Sequence, residues 1–287
     1  KNIIYVNKCI VDKLEEKNGK VKIYYYDKKS KLHNKEFDRV FLAAGATNSS
    51  RIVLNSLKKF NHKVKLKTRG GYVVPVFSFK KIPSQWPNCN THPEIFLEMN
   101  SSKIKNWVHI QISTENELIR DRLGVKRDKK GIFQSIKKFI INHTFIAFIN
   151  LHSNYAGYYE LSISESDKKN YSNILFTNHV KKHAPIKLIF NIFFTLSKIF
   201  LKIGAFPIFF FAKLNSGAYH VGGTLPMKSE RKEALDSDEY GRVGSWNKIH
   251  VIDSSIFPSL PGTTIGLLLM SNAYRIVYKL LKEKDND

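Results

Sequence analysis

The sequence predicts an α/β fold, because two short buried strands each run into a helix and alternating strands fill the chain between them. The first buried strand lies within residues 38–46 and ends in small residues before a helix opens. The second, residues 248–253, is followed by a loop rich in proline and glycine. Thr263 or Thr264 then caps a helix that we expect to end near Lys282.

The middle of the chain predicts an antiparallel sheet with helices over it. Apolar and polar residues alternate in residues 71–79, 94–99 and 107–112, and we expect residues 158–163 to close the same sheet. Residues 133–148 have the spacing of an amphipathic helix.

These patterns divide the chain into two domains. Residues 1–60 and 216–287 form a discontinuous α/β domain, into which residues 61–215 are inserted as an α+β domain built on the antiparallel sheet. A chain of 287 residues is long enough for two ordinary domains, each with its own core.

The composition argues against a nucleic-acid-binding protein, although the formal net charge is +23 from 47 Lys and Arg against 24 Asp and Glu. The lysines are spread along the whole chain, and no zinc-finger spacing or basic arm is present. The two cysteines, Cys9 and Cys89, form neither a disulfide framework nor a metal site. They fit a reducing compartment, and we expect a cytoplasmic protein.

The most apolar stretch, residues 185–214, leaves two interpretations open. Lysines, Asn191 and Pro207 interrupt it, so no run of about 18 apolar residues remains for a transmembrane helix. The favoured interpretation is a helical lid packed on the sheet. The other is an interfacial helix that makes a peripheral membrane contact, with its lysines among the lipid headgroups.

One candidate for chemistry is His220, which stands before the double glycine Gly222-Gly223. Glycines let the backbone approach a ligand closely, and an imidazole near neutrality can accept a hydroxyl proton. A lone histidine is more often structural than catalytic, so this motif is weak by itself.

A second candidate is the end of the strand at Asp253, before the helix that follows. A strand end facing a helix N-terminus forms a crevice with positive potential. Asp253 either accepts a hydrogen bond from a ribityl or ribose hydroxyl or begins the turn at Ser254-Ser255; the residues alone favour neither. The small residues Ala44 and Gly45, at the end of the first strand, would let a cofactor lie against the backbone.

Three segments together resemble, in order, segments of the glucose–methanol–choline (GMC) oxidoreductase family. They are FLAAGATNSSRIVLNS (41–56), YHVGGTLPM (219–227) and RVGSWNKIHVIDSSIFP (242–258). The resemblance covers residues 1–60 and 216–287 well and the middle loosely. HIQISTENEL (109–118) is more similar to bacterial members found with glycan-assembly genes.

The resemblance implies a partial FAD/NAD(P)-binding, Rossmann-like domain and an FAD enzyme that oxidises an alcohol CH–OH by hydride transfer to flavin, with a sugar or other polyol as substrate. His220 would be the catalytic base. The cofactor-binding positions that it implies are Val11, whose backbone would meet adenine, Ala44 and Gly45 near the nucleotide, and Asp253, Ser254, Thr264 and Ile265 near the flavin.

This sequence departs from the family in two ways. Thr264 stands where the family places a second catalytic His or Asn, and a Thr hydroxyl can hold a substrate oxygen but is a poor base. No G-x-G-x-x-G fingerprint is present. The family carries this fingerprint at its N-terminus, so we expect the chain to be a C-terminal fragment that starts after it and is inactive alone.

Two other classes of function remain open at this point. One is a non-enzymatic, membrane-associated binding protein on a degenerate fold of this kind, favoured by residues 185–214 and by Thr264. The other is a nicotinamide-dependent enzyme of related architecture, whose acidic fingerprint is also missing.

Overall fold

The structure is a computed structural model that describes residues 3–82, 95–101, 104–114, 131–164, 174–180, 183–214 and 220–284. Within these ranges the helices are α1 (Ala46–Ser56), α2 (Ile132–Asn142), α3 (Ile186–Lys202) and α4 (Gly266–Lys284). The strands are β1 (Ile10–Lys17), β2 (Lys20–Tyr26), β3 (Leu32–Phe37), β4 (Val40–Leu42), β5 (Val64–Thr68), β6 (Gly70–Ser78), β7 (Ile95–Ser101), β8 (Ile104–Ser113), β9 (Thr144–Leu151), β10 (Tyr158–Ile163), β11 (Ile174–Val180), β12 (Ala205–Pro207), β13 (Lys213–Leu214), β14 (Val221–Gly222) and β15 (Ile249–Val251).

The predicted α/β fold class is confirmed. β4 and β15 pair in parallel, as expected for strands that each lead into a helix, and β1, β2 and β3 form an antiparallel sheet beside them. A hydrophobic cluster joins these strands to α1 and α4, with Leu54, Ile249 and Ile276 fully buried. This cluster takes its residues from both ends of the chain.

The predicted antiparallel sheet is also present, in the order β12-β6-β9-β8-β7 with β13 beside β6. α3 covers one face of it, because Leu188, Ile192, Leu196 and Phe200 recur at every fourth residue and all are buried. Residues 186–202 are therefore packed on the sheet, as the lid interpretation expects, while a role as a lid over a substrate site stays a prediction. The helix ends there, and the chain returns to the sheet as β12.

The prediction that residues 158–163 close the same sheet is wrong. They form β10 of a separate four-stranded sheet, β11-β10-β5-β14, in which β5 pairs with both β10 and β14. Alternation shows that a segment is a strand but not which neighbour it pairs with. The predicted domain boundary lies after residue 215, with β5 before it and β14 after it in the chain. This sheet therefore joins segments that the sequence assigns to different domains. The domain limits themselves stay a prediction.

Two helix limits also differ from the prediction. The helix expected over residues 133–148 ends at Asn142, and Thr144 begins β9. β9 has alternating buried side chains and pairs with β6 on one side and β8 on the other. The isoleucine and phenylalanine residues of this segment are compatible with the spacing of either a helix or a strand. Pairing with the two neighbouring strands therefore determines that the segment is a strand. The last helix begins at Gly266 and runs to Lys284. None of the helices in the described ranges combines the length and apolar character needed to cross a bilayer.

Candidate active site

The end of β4 is an exposed backbone segment of small residues. Ala43, Ala44 and Gly45 are exposed, and α1 starts directly after Gly45. Gly45 has a φ of 82°, which favours glycine, and a Cβ built there would find no atom within 4 Å. The predicted cofactor positions Ala44 and Gly45 therefore border open space at the N-terminus of a helix.

Asp253, at the end of β15, connects this segment to the turn that follows it. Its Oδ2 accepts hydrogen bonds from the Gly45 amide, at 2.9 Å, and from the Ser49 hydroxyl. Its Oδ1 accepts from the Ser255 amide, at 3.0 Å, and from the Ser255 hydroxyl. These four donors occupy the four lone-pair directions of a carboxylate. Asp253 thus begins the turn at Ser254-Ser255, and its carboxylate positions the protein backbone instead of reaching outward.

The double glycine packs the segment that carries His220 against this same turn. A Cβ on Gly222 would lie 2.3 Å from the Ser254 carbonyl oxygen, and the Gly223 amide donates to that oxygen at 2.9 Å. The Ser254 hydroxyl donates to the Val221 carbonyl at 2.7 Å. Ser254, a predicted cofactor-binding residue, is therefore buried and holds β14 in place through both its hydroxyl and its carbonyl.

His220 is half-buried, and its pKa lies below the ordinary value for histidine. Burial is the larger cause, because it disfavours the charged imidazolium, and the positive charge of Arg69 adds to it. A lowered pKa keeps the imidazole neutral at physiological pH. It can then accept a proton.

Arg69 connects His220 to the loop before α4. It donates from a guanidinium N–H to the Gly262 carbonyl oxygen at 3.1 Å, and burial lowers the pKa of its side chain. Gly262 in turn lies against the six-stranded sheet, since a Cβ there would be 2.5 Å from the Asn150 carbonyl oxygen and 3.4 Å from the His109 amide nitrogen. His220, the loop and the sheet thus meet around Arg69.

Thr264 and Ile265 follow this loop. Thr264 is exposed, whereas Ile265 is buried in the core and its carbonyl accepts from the Leu269 amide at the start of α4. The structure therefore places the Thr264 side chain at the surface beside the N-terminus of a long helix, where free N–H groups favour a polar or anionic ligand atom.

Val11 lies on β1, alongside α1. Its carbonyl accepts from Arg51, which is almost fully buried and also lies 3.6 Å from Asp12. The Asp12 carbonyl accepts from Asn55 at 3.2 Å. β1 is an edge strand with an irregular register after Val11, so its backbone here is not used fully by β2. α1 thus connects Val11 to Gly45 and Asp253.

Sequence reasoning missed a polar cluster on the face of the sheet opposite α3. His109 is buried, and its ring nitrogens contact the Glu98 carboxylate and, at 3.1 Å, the Gln111 amide. Phe96 stacks on the His109 ring with centroids 5.4 Å apart. The alternation of β8 could have placed His109 and Gln111 on one face, but only the pairing of β7 with β8 brings in Glu98.

His250 has a structural role. His250 is fully buried in β15, contacts the Tyr240 carbonyl at 2.9 Å and Arg39 at 3.1 Å, and stacks on Phe41. Burial lowers its pKa.

Among the described residues, no group of three or more His, Cys, Asp or Glu side chains could hold a metal ion.

Comparisons with known proteins identify the fold. No family model and no curated protein sequence matches the chain. A solved structure of a pyridoxine 4-oxidase from Mesorbium loti aligns with 94% of it, with a TM-score of 0.54 and 12% identity. The chain has the fold of part of this oxidase. An FAD-dependent oxidoreductase from Chaetomium thermophilum aligns with 98% of the chain, with a TM-score of 0.53 and 10% identity. The chain spans 57% of the first protein and 62% of the second.

The electrostatics of His220 can be tested by titration. We expect its imidazole to titrate below the ordinary value of about 6.5, and Arg69→Gln to move the midpoint upward because the neighbouring positive charge is lost. The measurement is the pH dependence of the imidazole C–H chemical shifts by NMR. Arg231→Gln, which changes an exposed arginine bonded to the Gly244 carbonyl, serves as the control and should leave the midpoint in place. An equal midpoint in Arg69→Gln and the unchanged protein would contradict the assignment.

Proposed function

We propose that the chain is the catalytic, C-terminal portion of an FAD-dependent oxidoreductase of the GMC type, which oxidises the CH–OH group of a sugar or other polyol with His220 as the base. The observation that carries this proposal is the setting of His220. His220 is half-buried with a lowered pKa, and the double glycine that follows it packs the backbone of this segment against the Asp253 turn. The likeness to two oxidoreductases of this fold supports it.

The residues at the end of β4 fit a flavin nucleotide. The open space around Gly45 gives a ligand access to the backbone without a side chain in the way. In our proposal Ala44 and Gly45 border the nucleotide and the backbone of Val11 meets adenine. The backbones of Asp253 and Ser254, with Thr264 and Ile265, border the ring. FAD bound there would supply the acceptor for the hydride that leaves the alcohol carbon.

His220 has one task in this proposal, which is to accept the hydroxyl proton of the substrate. Its neutral form remains available to lower pH than that of an ordinary histidine, because burial and Arg69 lower its pKa. The exposed Thr264 hydroxyl can donate a hydrogen bond to the same substrate oxygen, but it cannot act as a base near neutral pH. Proton transfer therefore depends on His220.

FAD retention should depend on a further strand. In the described ranges β4 pairs with β15 alone, and Phe41 on β4 is exposed. A parallel pair with an open edge and an exposed aromatic residue accommodates another strand, since parallel sheets are normally covered. The glycine-rich strand–turn–helix that binds a pyrophosphate would fit there.

We therefore expect the 287-residue chain to purify with little FAD. Expression together with any coding sequence that the gene contains upstream of residue 1 should raise the FAD content and yield yellow protein. The measurement is the ratio of flavin to protein absorbance after gel filtration. Stoichiometric FAD on this chain alone would show that no further strand is needed and would contradict this part of the proposal.

Replacing His220 tests the base. In the flavin-loaded protein, His220→Asn should leave the flavin content unchanged and slow the reduction of flavin by substrate by on the order of 10²-fold or more. In the unchanged protein the rate should fall only as pH drops below the lowered pKa of His220. Stopped-flow absorbance measures both quantities. His33→Asn, in the exposed β2–β3 hairpin, is the matched control. Equal rates for the two variants would exclude His220 as the base.

The open face of the sheet supports a sugar or polyol as substrate. Glu98, His109 and Gln111 form a polar cluster beside Gly262, with two exposed aromatic residues on the same face: Phe96, 54% exposed, and Trp107, 58% exposed. Carboxylate, amide and imidazole groups pair with the hydroxyls of a sugar, and aromatic rings cover its C–H surface. An aliphatic alcohol has a single hydroxyl and would leave most of the hydrogen-bonding groups of this cluster without a substrate contact.

This substrate class can be tested by binding alone. D-glucose, D-galactose and N-acetylglucosamine should bind in preference to 1-hexanol, and Glu98→Gln or Trp107→Ala should weaken sugar binding by about tenfold. Titration calorimetry without added flavin measures this directly. The control is Glu36→Gln, which changes an exposed glutamate of the hairpin. If the sugars do not bind, or if all three variants bind them equally, the assigned substrate class is wrong, while the test of His220 is unaffected.

A second candidate function is favoured by the exposed apolar surface of α2 and α3. On this alternative the chain is a membrane-associated binding protein without catalytic activity. Substrate-dependent flavin reduction separates the two functions, since the binding protein would show none.

A further inference from the structure

Three segments that are distant in sequence converge at one edge of the six-stranded sheet. They are the end of β6 with the residues after it, the C-terminal turn of α2, and the link from α3 into β12. We define the apolar edge as the exposed large side chains Phe79, Phe139, Ile203 and Phe206 in these segments.

Direct contacts show that the apolar edge is continuous. Phe77 lies 6.3 Å from Phe79, 5.6 Å from Phe206 and 5.9 Å from His143, measured between ring centroids, and His143 lies 4.2 Å from Phe139. Backbone hydrogen bonds join the same segments. The Phe79 amide donates to the Gly204 carbonyl at 2.9 Å, and the Ile82 amide donates to the Asn142 carbonyl at 2.8 Å.

α2 extends the apolar edge with a stripe that faces away from the protein. The large apolar residues of α2 recur at the spacing of an amphipathic helix, yet only Ile141 among them is buried. The exposed members are Ile132, Phe133, Ile136, Phe139 and Ile140, with Phe133 at 79% exposed. An amphipathic helix normally turns its apolar stripe toward the core, so this stripe lacks its cover within the described chain.

α3 extends the edge on its other side. The face of α3 opposite the sheet exposes Phe190, Phe194 and Leu201, and Phe210 shortly after the helix is 96% exposed. The ammonium group of Lys198 lies 4.3 Å from the Phe194 ring centroid. A lysine that rests on an exposed phenylalanine keeps its charge at the level of the surrounding solvent or headgroups.

The charged side chains in the segments that form the apolar edge are all basic. Residues 76–82, 131–143 and 183–214 contain no Asp or Glu. Their exposed lysines are Lys80, Lys81, Lys137, Lys187, Lys198 and Lys202. A second copy of the chain would bring the same positive charges against these, and the whole chain carries a formal net charge of +23. A negatively charged apolar surface is therefore the complementary partner.

We propose that the apolar edge, with α2 and the outer face of α3, rests on an anionic lipid surface. The phenylalanine and isoleucine side chains enter the boundary between headgroups and acyl chains, and the lysines pair with lipid phosphates and carboxylates. Such contact lies in the plane of the membrane and needs no spanning helix. It does not depend on the proposed oxidoreductase activity, and it would bring the protein to substrates carried on lipid.

Vesicle co-sedimentation tests the proposal on the purified chain. The probe is vesicles of phosphatidylcholine with about 30% phosphatidylserine at low ionic strength. The unchanged protein should sediment with these vesicles, and less with phosphatidylcholine alone or at about 0.5 M salt, where surface charges are screened. Lys80→Glu with Lys81→Glu, and separately Phe79→Glu with Phe139→Glu, should each weaken partitioning by at least about tenfold.

Matched controls separate this surface from general attraction to a basic protein. Lys28→Glu with Lys29→Glu changes the same charge in the β2–β3 turn, and Leu32→Glu changes an exposed leucine there. Both controls should partition within about twofold of the unchanged protein. Because all the replaced residues are exposed, circular dichroism should show the same thermal unfolding for each variant.

A fluorescent reporter tests insertion directly. In a Phe139→Trp variant, the emission of the introduced indole should shift to shorter wavelength on vesicles and be quenched by brominated lipid. In a Leu32→Trp control it should do neither. The proposal is overturned if the protein fails to sediment with anionic vesicles at low salt or if control and edge variants partition equally. It is also overturned if sedimentation velocity shows a self-associated species that Phe79→Glu with Phe139→Glu dissociates.

Discussion

The site depends above all on the carboxylate of Asp253. Four protein donors surround it, from Gly45, Ser49 and Ser255, so one buried charge joins the end of β15, the N-terminus of α1 and the turn after β15. A buried carboxylate without partners is costly, whereas one that is fully hydrogen-bonded fixes its surroundings. Among the residues with a proposed role in flavin binding, Gly45 is held directly by this carboxylate, and Val11 lies on the strand beside α1, whose N-terminus the carboxylate fixes.

The segment that carries His220, the proposed base, is positioned by this turn. Ser254 holds β14 through its hydroxyl and carbonyl, and the glycines at 222 and 223 permit the close approach. Arg69 then ties the same region to the loop at Gly262, which presses on the antiparallel sheet. The proposed base adjoins the four-stranded sheet, whereas the proposed sugar-binding face lies on the six-stranded sheet, and Arg69 and Gly262 lie between them.

Two surfaces of the described chain are chemically incomplete, and for different reasons. In the described chain, one edge of β4 has no neighbouring strand, so the backbone groups along that edge have no strand partner and the apolar side chain of Phe41 is exposed. The apolar edge lacks only cover, because its helices satisfy their own backbone and its lysines favour an anionic surface. The first feature underlies our proposal of a further strand, and the second underlies our proposal of a lipid contact.

The sequence by itself determined the features whose physics is local. The glycines after His220, the turn at Asp253 and the strand-to-helix step at Gly45 each act over a few residues, so their motifs could be identified and their positions are where the structure has them. The sequence left the role of the Asp253 side chain open, since its partner Gly45 is distant along the chain. Only the tertiary structure decided the pairing of Glu98 with His109, the membership of β10 in a second sheet and the gathering of Phe79, Phe139 and Phe206 at one edge. Each of these depends on strand register and helix packing between distant segments, and a periodic pattern specifies a face of an element without specifying what that face meets.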